Sequence, residues 1–154
     1  MKEVERTQYL EELDRWKDSP DIVKVILGVR RAGKSVVMDQ HMRRMIEAGT
    51  DPKDILFMDF ESSDHDDIKD HGDLNTYIAE RIPRNRRTYI FLDEVQRVEG
   101  WERTVNSLMV DYDADIYITG SNAYLLSSEL STYLSGRYVE IKVFPFSFAE
   151  FLEG

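Results

Sequence analysis

The stretch "IVKVILGVRRAGKSVVMDQHM" (22–42) constrains the fold more than any other part of the chain. Its first half is β-branched and nearly all apolar, the signature of a strand covered on both faces. Its second half sets Val37, Met38 and Met42 at helical spacing, a pattern that continues through Met45 and Ile46 and ends at Gly49. The two halves are joined by "GVRRAGKS" (28–35). The same strand-then-helix alternation runs through the chain. Buried-strand patterns are predicted at 54–61, 88–95, 115–122 and 138–146, and helical patterns at 4–18, 101–112 and 123–130. Asp73 is placed to N-cap a further helix carrying Leu74, Tyr77, Ile78 and Ile82, closed by Pro83. Strands alternating with helices predict an α/β fold with a parallel sheet covered on both faces. No repeat or flexible linker interrupts the 154 residues, which suit one domain, 1–154.

The joining loop is unusual in its charge. The chain carries a net charge of −10, yet residues 28–35 hold three cations and no acid. Gly28, Gly33, Lys34 and Ser35 satisfy the spacing G-x-x-x-x-G-K-[ST]. Such a loop folds so that successive backbone N–H groups point inward at phosphate oxygens, and the helix behind it adds its positive end. Lys34 then reaches the outer phosphates and the Ser35 hydroxyl is set to ligate Mg²⁺. Gly28, Arg30, Arg31, Ala32, Gly33, Lys34, Ser35 and Val36 are the candidate nucleotide-binding residues. The two arginines have alternatives: they either contact the γ-phosphate, meet a neighbouring protein segment, or pair with Asp59 or Glu61.

"YIFLDEVQ" (89–96) ends a predicted strand in two adjacent acids. Asp93 is the candidate Mg²⁺ ligand beside Ser35. Glu94 is the candidate that polarises a water for attack on the γ-phosphate. Neighbouring strand residues point to opposite faces, so Glu94 reaches that water only if the strand ends there.

These residues together resemble AAA+ ATPases within the P-loop NTPases. The phrases "VILGVRRAGKS", "IFLDEVQ", "ITGSNA", "LSGRYVEI" and "FPFSFAEFL" resemble the bacterial and archaeal ATP-binding proteins that pair an AAA domain with a C-terminal domain of unknown function. The resemblance implies a three-layer sandwich with a five-stranded parallel sheet of order 5-1-4-3-2. It implies ATP and Mg²⁺ as ligands, and hydrolysis as the activity. It also implies a γ-phosphate-sensing residue at the end of the fourth strand, either Asn122 or Ser121, with Thr119 set further back. Arg137 in "SGRY" resembles an arginine finger acting on the nucleotide of a neighbouring copy, which would require a homo-oligomer. The helical lid of such domains has no counterpart before Gly154, so the resemblance implies the core of a longer protein. An alternative is a nucleotide-dependent switch or interaction module with negligible turnover.

Other features carry less. "SSDHDDIKDHGD" (62–73) lacks the glycine and final glutamate of a calcium loop and reads as a solvated loop. "RIPRNRR" (81–87) is basic, and nucleic acid is a conceivable partner, but the acidic chain as a whole does not support one. Phe144, Phe146, Phe148 and Phe151 read as core or lid-facing residues, and their exposure would promote self-association. No segment has the ~20 apolar residues of a membrane span. The absence of cysteine fits a cytoplasmic protein. A GTPase would want an Asn-Lys-x-Asp motif, and a small-molecule kinase an arginine-rich lid; neither pattern occurs.

Overall fold

A computed structural model describes residues 7–28, 33–121, 132, 134 and 136–144. The elements run α1 (Thr7–Trp16), β1 (Val23–Leu27), α2 (Lys34–Glu47), β2 (Ile55–Asp59), α3 (His71–Ala79), β3 (Thr88–Asp93), α4 (Trp101–Asp111), β4 (Ala114–Gly120) and β5 (Tyr138–Lys142). All four strand pairings are parallel and the order is β2-β3-β4-β1-β5, which is 5-1-4-3-2 read from the other edge. The central strands β1 and β4 are buried along their whole length. The edge strand β2 leaves Phe57 exposed.

Two apolar layers sandwich the sheet. On one face Tyr9, Leu10 and Leu13 of α1 and Val37, Met38 and Met45 of α2 pack on Ile26, Phe91, Tyr117 and Ile141. On the other, Leu74 and Ile78 of α3 and Trp101, Val105 and Leu108 of α4 pack on Val25, Ile90, Leu92 and Ile116. Each fully buried Leu, Ile or Phe contributes about 1.5–3 kcal/mol relative to exposure, so these layers supply most of the driving force. Among the described residues no helix is long and apolar enough to cross a membrane.

Three local expectations are corrected. The helix expected to start after Asp73 starts earlier, at His71. Its cap is Asp70, whose carboxylate accepts from the Asp73 N–H at 2.9 Å, while the Asp73 carboxylate accepts from the Lys69 N–H. Pattern reading placed the cap beside the first apolar residue, but a cap must sit three residues before the N–H it accepts. The loop 62–73 is not wholly solvated: Ile68 is buried, and Asp70 bridges in parallel to Glu99. Gly100 makes this docking possible, because a Cβ there would lie 2.7 Å from the His71 ring. The strands are also shorter than their apolar runs, because pairing stops where the neighbouring strand stops. The predicted helix 123–130, and Phe146, Phe148 and Phe151, lie outside the described residues; Phe144 is exposed.

The basic cluster is occupied locally. Arg86 pairs with Asp54 at 2.6 Å, Arg87 with Asp113 and Asp18 at 2.8 Å, and Arg81 lies over the Tyr77 ring.

The face under α1 and α2 also carries a buried polar cluster. Lys24 of β1 is ion-paired with Asp115 of β4, and both are fully buried. Lys24 also donates to the Ser19 carbonyl, while Asp115 accepts from the Asp18 N–H and the Tyr117 hydroxyl, each at 2.9 Å. Because Tyr117 spends its proton on Asp115, His41 Nε2, 3.2 Å away, is the donor to the Tyr117 oxygen. Burial pulls the His41 imidazole down from 6.5 to about 4, outweighing the attraction of Asp14 and Asp115.

Two outcomes follow from this cluster. Asp115→Ala strands a buried ammonium and lowers the unfolding free energy by about 3–5 kcal/mol in urea denaturation; a loss under 1 kcal/mol would mean that water reaches Lys24. His41 titrates below its free value, so it stabilises the fold above pH 6.5 and that contribution is lost as pH falls toward 4. Relative to the unsubstituted chain, His41→Gln gains roughly 3 kcal/mol of stability between pH 7 and 4. Parallel stability curves would show that His41 titrates normally.

Candidate nucleotide and metal site

The sheet's C-terminal edge collects the predicted residues. β1 ends at Leu27, and Gly28 leaves it buried, its carbonyl accepting from Lys34 Nζ at 2.9 Å. Gly33 has φ 96° and ψ 20°, left-handed backbone that a side chain would strain, and it turns the chain into α2. The Val37 N–H closes the first helical bond on the Gly33 carbonyl at 2.9 Å. The N–H groups of Lys34, Ser35 and Val36 precede that bond and have no partner within the helix. Among the described residues no side chain caps α2, and its first turn holds no acid. By contrast α3 is capped by Asp70 and carries Asp73, and α4 carries Glu102. The positive end of α2 is thus kept open to an anion.

The acidic end of β3 faces that helix start. Asp93 is buried, and its carboxylate is held from two sides: Ser35 Oγ donates to Oδ2 at 2.8 Å, and Thr119 Oγ1 donates to Oδ1 at 2.5 Å. Burial pushes the Asp93 carboxyl up; the two hydroxyls oppose this, and the charges of Asp59 and Glu94 add to it. Glu94 leaves the strand in a left-handed conformation, φ 56° and ψ 49°, uncommon for a residue with a Cβ. Its N–H donates to Thr119 Oγ1 at 2.9 Å. One carboxylate oxygen, Oε1, lies 3.2 Å from Lys34 Nζ, and the other, Oε2, accepts from Gln96 Nε2 at 2.6 Å.

The structure therefore brings Gly28, Gly33, Lys34, Ser35, Val36, Asp93 and Glu94 together. Arg30, Arg31, Ala32 and Asn122 lie outside the described residues. Ser121 directly follows β4, and its hydroxyl is buried with no hydrogen-bond partner among the described residues. Arg137 does not converge on the site within one chain. It precedes β5, whose Tyr138 is level with Val23 at the start of β1, and its carbonyl accepts from the Val23 N–H. The loop leaves the far end of β1, about 15 Å of strand away.

Thr119, set further back among the candidates read from the sequence, bonds to the Asp93 carboxylate and the Glu94 N–H, and Gln96, which that reading passed over, grips the Glu94 carboxylate. Register explains the first: Leu92 pairs with Ile118, which puts Asp93 beside Thr119. A parallel register is not written in either strand alone. The "DEVQ" spacing was the available signal for Gln96.

Ser35 and Asp93 offer Mg²⁺ two hard oxygen ligands within 2.8 Å of each other, beside a buried carboxylate short of positive charge. That donor set fits the ion. Among the described residues no group of three or more His, Asp or Glu side chains could hold a metal, so remaining ligands would come from phosphate and water.

The sequence model of the "AAA domain" matches residues 21–152. An uncharacterized protein of Haemophilus influenzae is 48% identical over 150 residues, covering 97% of this chain and 37% of that protein. An uncharacterized protein of Methanocaldococcus jannaschii is 33% identical over 134 residues, covering 87% and 29%. The chain thus spans about a third of the length of these curated relatives. Among solved structures, a DNA polymerase III gamma subunit-related protein from Thermotoga maritima superposes with a TM-score of 0.63 at 16% identity, over 94% of this chain and 48% of that one. Saccharomyces cerevisiae Rif2 superposes with 0.57 at 15% identity, over 96% and 59%. At those identities the fold is what is shared.

The raised Asp93 carboxyl has a measurable consequence. A folded-state value above the free one favours the protonated form, so stability is lost as pH rises through it, and the charge is a burden at pH 7. Asp93→Asn removes the charge and keeps both partners, accepting from Thr119 and donating to Ser35. Its ligand-free thermal midpoint at pH 7 rises by roughly 2–4 °C per kcal/mol relieved. A lowered midpoint in calorimetry would show that the two hydroxyls fully compensate the charge.

Proposed function

The chain belongs to the AAA domain family, and on that premise we propose that it binds ATP on the loop from Gly28 to Val36 and hydrolyses it with Mg²⁺, as part of a longer protein. The observation that carries the reading is the position of Lys34. Its ammonium is buried at the uncapped start of α2, held by a carbonyl at 2.9 Å and by Glu94 at 3.2 Å. A cation in that place is ready to be handed to an arriving polyphosphate.

The chemistry proceeds from these contacts. Lys34 turns from Glu94 to the outer phosphates, which frees Glu94 Oε1. Ser35 and Asp93 would hold Mg²⁺, and the ion would neutralise charge on the outer phosphates. Glu94 orients a water and accepts its proton as the water oxygen bonds to the γ-phosphorus. The bond from that phosphorus to the β–γ bridging oxygen breaks, and ADP and inorganic phosphate leave. Thr119 holds both acids in register throughout. Ser121 or Asn122 senses the γ-phosphate. Arg137, remote from its own loop, serves the nucleotide of a neighbouring copy, where its guanidinium stabilises charge on the transferring group.

Thermal unfolding with and without Mg-ATP tests the site. Saturation at about 100 times Kd adds about 2.7 kcal/mol, a rise of roughly 5–10 °C. Lys34→Ala removes that rise and leaves the ligand-free fold intact. Glu94→Gln keeps the rise and lowers turnover about 100-fold or more. Turnover per subunit climbs with protein concentration, and Arg137→Ala flattens the climb. A Lys34→Ala chain that still gained stability from Mg-ATP would place the nucleotide elsewhere. Binding without turnover at every concentration would instead favour a nucleotide-dependent switch.

A further inference from the structure

Both oxygens of the Glu94 carboxylate are engaged in the ligand-free chain, and the two partners differ in kind. Oε1 faces Lys34, which the proposed nucleotide takes away. Oε2 faces Gln96 Nε2 at 2.6 Å, and no phosphate competes for that neutral amide. Gln96 sits in the short 3₁₀ turn Val95–Arg97 that begins at Glu94 itself. The amide orientation is set by chemistry, since the reverse would press its oxygen against a carboxylate oxygen. With the NH₂ group committed to Glu94, the Gln96 carbonyl oxygen is left buried with no hydrogen-bond partner among the described residues. A buried acceptor without a donor costs about 1–3 kcal/mol, so one in contact with a reacting group invites a functional explanation.

We propose that Gln96 is the second water-positioning residue of the site, its amide nitrogen fixing Glu94 and its amide oxygen accepting the proton of the attacking water that Glu94 does not take. A water that meets the γ-phosphorus has two protons to place. Glu94 Oε1, once Lys34 has moved, accepts one and removes it. Gln96 Oε1 accepts the other and keeps it, because an amide is too weak a base to take a proton. The two acceptors together turn a water lone pair toward phosphorus, where a carboxylate alone would leave it free to rotate about one hydrogen bond. The left-handed backbone at Glu94 and the tight turn after it serve this purpose: they fold residue 96 back over the carboxylate of residue 94. This inference rests on the reading of Glu94 as the water-activating base.

Binding of Mg-ADP and of Mg-ADP with aluminium fluoride separates the roles without requiring turnover. The fluoroaluminate occupies the place of the transferring phosphoryl group and binds tightly only when the attacking water is held in line. Affinities are measured for every variant at the same protein concentration, the highest at which the unsubstituted chain stays in solution. Gln96→Met, of similar length and apolar, leaves the ADP Kd unchanged and weakens the fluoroaluminate complex about 10- to 100-fold, the worth of hydrogen bonds to a charged group. Gln96→Asn, which keeps both amide functions on a shorter arm, recovers part of that loss. If Gln96→Met holds the analogue as tightly as the unsubstituted chain while Glu94→Gln does not, Gln96 has no part in positioning and the Glu94 reading stands. If neither substitution weakens it, or the unsubstituted chain gains nothing from fluoroaluminate, the Glu94 reading falls and this one with it. Equal losses for ADP and the analogue in Gln96→Met would mean that Gln96 only supports the fold, which also overturns the proposal.

Discussion

The Asp93 carboxylate, held between the hydroxyls of Ser35 and Thr119, is the contact on which the upper edge of the molecule depends. It joins α2, β3 and β4 at one point. The arrangement is costly, because the carboxylate is buried and lies near Asp59 and Glu94. Two hydroxyl donors offset part of that cost and leave an unmet demand for positive charge. The start of α2, with Lys34 beside it, answers that demand in part, and a divalent cation would answer it further. A cation bound there would relieve part of the cost of burying this carboxylate, which ties the proposed binding to the stability of the site.

The same face of the sheet carries a graded series of interactions from one end to the other. At the N-terminal ends of the strands, the Lys24–Asp115 pair locks β1 to β4. In the middle, Phe91 and Tyr117 stack at 4.4 Å under His41 of α2. At the C-terminal ends Thr119 meets Asp93. Strand alternation puts Asp115, Tyr117 and Thr119 on one face, so a single strand links the structural ion pair to the site. The opposite face, under α3 and α4, is packed by apolar side chains. It stabilises the sheet, while the α2 face carries the candidate site. This division suits a parallel sheet, in which loops at the C-terminal ends of the strands gather ligands.

The two ends of the sheet also separate roles that one chain cannot unite. Arg137 emerges where β1 and β5 begin, while the phosphate loop emerges where β1 ends. A rigid strand lies between them. An arginine in that position is remote from the phosphate loop of its own chain, which is why the proposed role for it lies across an interface with a neighbouring copy.

Much of this was legible in the residues. The alternation of apolar runs with helical stripes determined the layer architecture, because a strand covered on both faces needs an almost unbroken apolar sequence. The spacing of Gly28, Gly33, Lys34 and Ser35 pointed to the candidate anion site, because a loop of that pattern running into a helix start has the local geometry to make one. The pairing of Asp93 with Glu94 marked where a strand had to end. What depended on contacts distant in sequence was not legible. Thr119 and Asp93 are 26 residues apart and meet only through the register of β3 and β4. Lys24 and Asp115, 91 residues apart, meet only because the sheet puts β1 beside β4. Gln96 is near Glu94 in sequence, yet its grip depends on a left-handed turn that no propensity for glutamate suggests. Local patterns determined which elements form and what ligand they invite; tertiary packing alone decided which polar groups share a buried space, because that depends on register and burial rather than on neighbours along the chain.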